Sequence, residues 1–296
     1  MAPAPAHAPI EGTPWARSTT PGTDRWSGSY ADEAAASVQA QHFDPAFGRR
    51  FAERALDALV VVRGARVLDV ACGTGILARL AAHVVGPAGR VVGIEPSPAA
   101  IAAARRIDVT SIVDWQTWEG DRLPFPDATF DVVACQHALQ RFADPVAALE
   151  DMRRVLAPGG RLGIITWGPI EENPAFAAQL DATIKAGLDT SGVVEMLLDA
   201  FAYHRMDDLR DLARKAGFSD VSCRTVRMLT ALPRVSQWVR VYPSLPPLSL
   251  AWRDCGQQAR IQFLSRATEL LRPFEHDGVL RVQASSRLVV ARAPFH

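Results

Sequence analysis

Between residues 66 and 167, short apolar runs alternate with longer stretches whose apolar positions recur every three to four residues. The runs at 66–71 (RVLDVA), 90–95 (RVVGIE), 113–117, 130–135 (FDVVAC) and 161–167 have the length of buried strands. The intervening patterns predict helices at 75–85, 97–105 and 145–155, the last two opened by the capping residues Ser97 and Asp144. Alternating β and α units of this size predict a doubly wound α/β fold, a mostly parallel sheet with helices on both faces.

Outside this core the rhythm changes. Residues 1–28 are rich in Pro, Ala, Ser, Thr and Gly without periodicity, which predicts a disordered leader. Residues 29–64 read as N-terminal cap helices, broken in two near Asp44-Pro45, and the main domain is expected over 65–296. Beyond Trp167, helical patterns at 174–186 and 207–216 lead to strands near 220–230 and 280–291. The segments 168–206 and 233–275 are expected to cap a pocket.

Composition narrows the function. The 296 residues carry 32 basic and 32 acidic side chains, and no basic surplus suits a nucleic-acid partner. No run approaches the length of a membrane span and no signal-peptide pattern opens the chain, so a cytoplasmic protein is the default. Cys72, Cys135, Cys223 and Cys255 form no C-x-x-C pair, which argues for reduced thiols and against a metal framework. Oligomeric state stays open, with a homodimer as the assembly considered.

The chemistry concentrates at 67–82 (VLDVACGTGILARLAA), a strand passing through Gly73 and Gly75 into a helix. Glycines there let a ligand approach the backbone, and the helix start offers free N–H groups. The same spacing fits a dinucleotide fingerprint, and Glu95 at the end of the second strand serves a ribose in either case. Asp69 separates the two readings. A carboxylate beside the glycine turn repels a pyrophosphate but favours the ammonium and sulfonium of S-adenosylmethionine. In 119–133 (EGDRLPFPDATFDVV), Asp121 can accept from an adenine amino group and Arg122 can offer a backbone N–H to the ring.

The motifs DVACGTG, GIEPSP, EGDRLPFPDATFDVV and DPVAALEDMRRVLAPGGRLGIITW resemble those of class I S-adenosylmethionine-dependent methyltransferases. The bacterial branch related to the ubiquinone/menaquinone-biosynthesis C-methyltransferases is the most similar. That resemblance implies a seven-stranded sheet whose last strand is antiparallel, and S-adenosylmethionine as cofactor. It places Asp69, Gly73 and Gly75 at the methionine part, Glu95 at the ribose, and Asp121 and Arg122 at the adenine, with Ala71, Pro96 and Gln136 as further cofactor-binding residues. The chain departs from its relatives at Gln41-His42, where many carry a Tyr- and Arg-containing motif, and at Gln136-His137 after the fourth strand.

Methyl transfer aligns donor and acceptor, excludes water and, for a hydroxyl or acidic carbon, removes a proton. His137 is the residue to weigh as that base, against a plainer role in fixing its loop. Tyr30, His42, Tyr203, His204 and Trp238 are further candidates for contact with a hydrophobic small-molecule substrate, each against a surface or core role. An O- or C-methyltransferase is the leading reading. A non-methylating reaction such as a cyclisation on the same fold is the alternative. A nicotinamide enzyme is disfavoured by Asp69 and Asp121, and a non-catalytic scaffold by the intact cofactor motif.

Overall fold

In a computed structural model, residues 33–120, 122–188, 192–245 and 247–295 are described. The 1–28 leader, Tyr30 and Asp121 lie outside them. Five strands, β1 (Arg66–Val70), β2 (Arg90–Glu95), β3 (Val113–Thr117), β4 (Phe130–Gln136) and β5 (Leu156–Trp167), pair in parallel in the order β3-β2-β1-β4-β5. Beyond β5 the sheet continues through β8 (Val279–Arg292) to β6 (Ser219–Leu232), and β8 runs antiparallel to both neighbours. An eighth, two-residue strand, β7 (Glu275–His276), adds one to the seven expected. It exists because Asp277 and Gly278 both take positive φ, 52° and 71°, the backbone of a tight hairpin turn.

Successive strand residues bury on opposite faces. Val67 joins the apolar cluster on one side of the sheet and Leu68 the cluster on the other. Local capping fixes the crossover helices as the sequence predicts. Ser97 Oγ accepts from the Ala100 N–H at 3.2 Å, and Asp144 Oδ1 accepts from Val146 and Ala147 at 2.9 and 3.0 Å. Each is followed by proline at the first helical position.

The N-terminal helices correct one expectation. Helix α1 (Glu33–Val38) does not end before Pro45 but runs through a π-helical segment (Gln39–Gly48) into α2 (Arg49–Leu59). The Arg49 N–H reaches back five residues to the Asp44 carbonyl. The wider π turn relieves the clash a proline ring makes with an α-helical carbonyl, so the chain is rewound rather than broken.

Above the sheet, helices α6 (Pro174–Lys185) and α7 (Val193–Asp199) follow β5, while α9 (Val235–Trp238), α10 (Leu248–Asp254) and α11 (Gln257–Leu271) fill the β6–β8 connection. The helices of the core are α3 (Ile76–Val85), α4 (Pro98–Ile107), α5 (Pro145–Val155) and α8 (Met206–Lys215). No described helix is long and apolar enough to cross a membrane.

Candidate functional site

A cavity of about 150 Å3 opens at the carboxyl ends of β1 and β4, where an open α/β sheet places its ligands. Its floor is the glycine turn, its side the π segment, and its roof is formed by residues that follow β5 and β6, such as Phe176, Leu197 and Leu245.

On the floor, Asp69 is 1% exposed and its Oδ2 accepts from the Ala78 N–H at 3.0 Å, in the first turn of α3. Burial lifts its carboxyl to about 8; the Ala78 bond pulls it down and the Glu95 charge pushes it up. At neutral pH most of this group is therefore protonated, and a cation brought beside it would ionise it. Ala71, Gly73 and Gly75 all adopt positive φ, at 55°, 56° and 80°. At Gly75 nothing else fits, because a Cβ would stand 2.1 Å from Trp115 Cη2.

Glu95 does not face the cavity. Only 1% exposed, it accepts from the Gly73 N–H at 3.0 Å and from the Ser97 N–H at 3.2 Å. It thereby ties the glycine turn to the end of β2, and burial raises its pKa. Each carboxylate oxygen keeps a lone pair in this arrangement. Pro96 and Arg122 are exposed and also lie off the cavity wall. The Arg122 guanidinium lies 3.8 Å from Asp151, and its carbonyl accepts from Trp118 Nε1.

Two residues at the end of β4, its last and the one that follows, meet the cavity. Gln136 donates through Nε2 to the Gly48 carbonyl at 3.0 Å, and its buried Oε1 has no hydrogen-bond partner among the described residues. His137, at φ 53°, stacks on Trp167 with ring centres 3.8 Å apart and meets Phe51 edge-on. Its Nε2 shares a hydrogen bond with Ser286 Oγ at 3.0 Å. Burial among these rings lowers its pKa to about 3, so the imidazole is neutral throughout the physiological range. The near-neutral titration expected of a general base is thus displaced by more than three pH units.

The other substrate candidates lie elsewhere. His42 is exposed, one position from the wall residue Phe43. Tyr203 packs into the cluster on the opposite sheet face, and its carbonyl accepts from Thr166 Oγ1 at 2.6 Å. His204 closes a turn through Nδ1 and the Phe201 carbonyl at 2.8 Å. Trp238 is core, packed against Phe47 and Tyr242. In their place stand residues the sequence did not single out. Asp44, buried on the π segment, bonds Thr74 Oγ1 at 2.5 Å and Gln39 Nε2 at 3.3 Å, and so fastens the side wall to the glycine turn. Phe176 and Phe201 meet Trp167 at 4.7 and 6.3 Å. Only the aromatic spacing of Phe43 and Phe47 on one helical face hinted at a wall there.

The chain matches the model of a methyltransferase domain over residues 68–164. It is 40% identical over 106 residues, 34% of the chain and 46% of the relative, to a 2-phytyl-1,4-naphtoquinone methyltransferase of Synechococcus elongatus. It is 31% identical over 179 residues, 56% of the chain and 71% of the relative, to the ubiquinone/menaquinone biosynthesis C-methyltransferase UbiE of Cronobacter sakazakii. The chain spans about half the length of several curated relatives it matches. Among solved structures, phosphoethanolamine N-methyltransferase 2 of Haemonchus contortus in complex with S-adenosyl-L-methionine superposes with a TM-score of 0.57 at 16% identity. That likeness, over 97% of this chain and 61% of the other, is one of fold. By its sequence matches, this chain belongs to the class I S-adenosylmethionine-dependent methyltransferases, in the branch related to the ubiquinone/menaquinone C-methyltransferases, and S-adenosylmethionine is its cofactor.

Proposed function

We propose that the protein transfers a methyl group from S-adenosylmethionine to an oxygen or carbon of a hydrophobic small molecule. The observation that carries this reading is the division of one cavity into a carboxyl-bearing floor and an apolar, aromatic roof. The floor fits the cofactor's charge. Asp69 is a buried carboxyl that a neighbouring cation would ionise, and Gln136 Oε1 is a buried acceptor in want of a donor; an ammonium meets both needs. Asp69, Gly73 and Gln136 would hold the methionine part. Glu95, Asp121 and Arg122 are proposed for the ribose and adenine, as the family resemblance implies. When bound, the cofactor supplies the methyl group on a sulfonium.

The chain's own part is alignment and the exclusion of water. Phe176, Trp167 and Phe201 surround the acceptor end with apolar surface, and that the quinone methyltransferases similar to this chain are named for apolar rings supports an acceptor of that kind. His137, neutral and bonded to Ser286, contributes a ring wall through its stack on Trp167.

The test is simultaneous quantitation of product and S-adenosylhomocysteine with 1-naphthol and 1,4-naphthoquinol as acceptors. One-to-one release is expected. Product formed without stoichiometric S-adenosylhomocysteine would overturn methyl transfer in favour of a non-methylating reaction. Because His137 titrates at about 3, the rate between pH 6 and 8 should carry no imidazole inflection. An inflection near neutrality that His137→Gln abolishes would return His137 to the role of base.

A further inference from the structure

Gln179, on α6, is 3% exposed and lines the cavity beside Phe176 and Leu180. Its backbone carbonyl accepts from Thr183 Oγ1 at 2.7 Å, but its side-chain amide is hydrogen-bonded to none of the described residues. A primary amide that reaches a cavity without a protein partner keeps its donor and acceptor open to whatever occupies that cavity. Every other described side chain that the two cap segments place on the wall is apolar, so Gln179 is the roof's sole polar contact. The rings of Phe176 and Trp167 lie 4.7 Å apart, and those of Phe176 and Phe201 5.7 Å apart, which gives this end a continuous aromatic surface. The carboxyls of Asp69 and Asp44 stand at the other end, against the glycine turn.

From this placement we infer that Gln179 selects the methyl acceptor, its amide hydrogen-bonding a ring oxygen of a flat, otherwise apolar molecule held against Phe176, Trp167 and Phe201. An amide both donates and accepts, so a hydroxyl and a carbonyl oxygen both satisfy it. The roof side chains on the wall are neutral, and the charged wall residues, Asp44, Asp69 and Arg141, belong to other elements. This selectivity rests on the reading of the cavity as a methyl-transfer site. It adds to that reading the group by which the acceptor is recognised.

Calorimetry on the S-adenosylhomocysteine-saturated protein, with 1-naphthol and naphthalene as matched probes, tests the inference. Wild type should bind 1-naphthol about tenfold more tightly than naphthalene, the effect of one net hydrogen bond in a dry site. Gln179→Leu should bring the two affinities within about twofold while leaving S-adenosylhomocysteine affinity and melting temperature unchanged. Gln179→Met serves if the leucine variant fails to fold, and the wild-type preference stands as a measurement independent of either. Equal affinity in wild type, or a preference retained in the variants, would overturn the role of Gln179. Binding of S-adenosylhomocysteine with neither probe bound would overturn it too, yet leave methyl transfer standing. Failure to bind S-adenosylhomocysteine would remove both.

Discussion

The floor and the roof of the cavity are built in opposite ways. On the floor, the chain's own nearby backbone satisfies each buried carboxyl: Asp69 takes the Ala78 N–H, and Glu95 takes those of Gly73 and Ser97. The result is a rigid turn held by local chemistry and by Trp115 pressed against Gly75. The roof is assembled from segments far apart in sequence; it meets the cavity with apolar side chains and a partnerless amide at Gln179, and it is tied to the sheet behind them, as by Glu172 to Arg227 and Arg287. Asn173 adds another tie, its Nδ2 donating to the carbonyls of Pro169 and Ser285 while its Oδ1 accepts from the Ser285 N–H at 2.9 Å. A polar floor under an apolar roof allows one cofactor to serve a changeable acceptor, because the two ends are specified by separate sets of residues.

The sharpest way to break the comparison is Gly75→Ala. A left-handed backbone costs a residue with a Cβ about 1–2 kcal/mol, and overpacking adds about 1–3. A total near 2–5 kcal/mol should appear in the denaturation midpoint, with part of it recovered on pairing with Trp115→Leu. Full stability in Gly75→Ala would mean that the floor yields around Trp115.

Glu95→Ala comes next. It strips the Gly73 N–H of its partner, a loss of about 1.5–3 kcal/mol for a charged acceptor. S-adenosylhomocysteine affinity should fall roughly tenfold to a hundredfold by calorimetry. Phe176→Ala, on the roof, should leave that affinity within about twofold and weaken 1-naphthol instead. If both substitutions weakened both ligands alike, the two ends would not be separately specified.

Asp69→Asn probes the smallest effect. Because the folded pKa of Asp69 is raised to about 8, the folded state holds a proton that the unfolded chain has already lost. Its contribution to stability is full below the unfolded value near 3.8 and declines as pH rises towards 8, by at most about 1.4 kcal/mol per unit. His137 works in the opposite sense, its contribution being lost only as pH falls from 6.5 towards 3. Between pH 6.5 and 8 wild-type stability should therefore decline with pH, and the asparagine variant should decline less. Calorimetry of S-adenosylmethionine binding at pH 7 in two buffers of different ionisation enthalpy should detect proton release that Asp69→Asn abolishes. Equal release in both proteins would remove Asp69 from the cation's neighbourhood.

Legibility followed the same divide. The strands at 66–71 and 90–95, the caps Ser97 and Asp144, and the glycine turn could be read because each is decided within a few residues by period, capping and φ. The direction of the Glu95 side chain could not, since it is set by the backbone N–H groups of Gly73 and Ser97, the first of them 22 positions away. Tyr203 and His204 looked like pocket residues from their chemistry, yet the turn after α7 sends them away from the cavity while Phe201 faces it.

The sequence by itself determined the doubly wound sheet, its order of α and β units and the residues of the glycine turn, because hydrophobic period and turn chemistry are local properties of the chain. Only the tertiary structure decided that the N-terminal helix winds on through Pro45 and that Asp44 meets Thr74 thirty positions away. It alone decided that His137 stacks on Trp167 and titrates near 3, and that Gln179 is left facing the cavity. Each of these depends on which distant surfaces pack together, and packing sets burial, which in turn sets the charge and the free valence of every polar group it encloses.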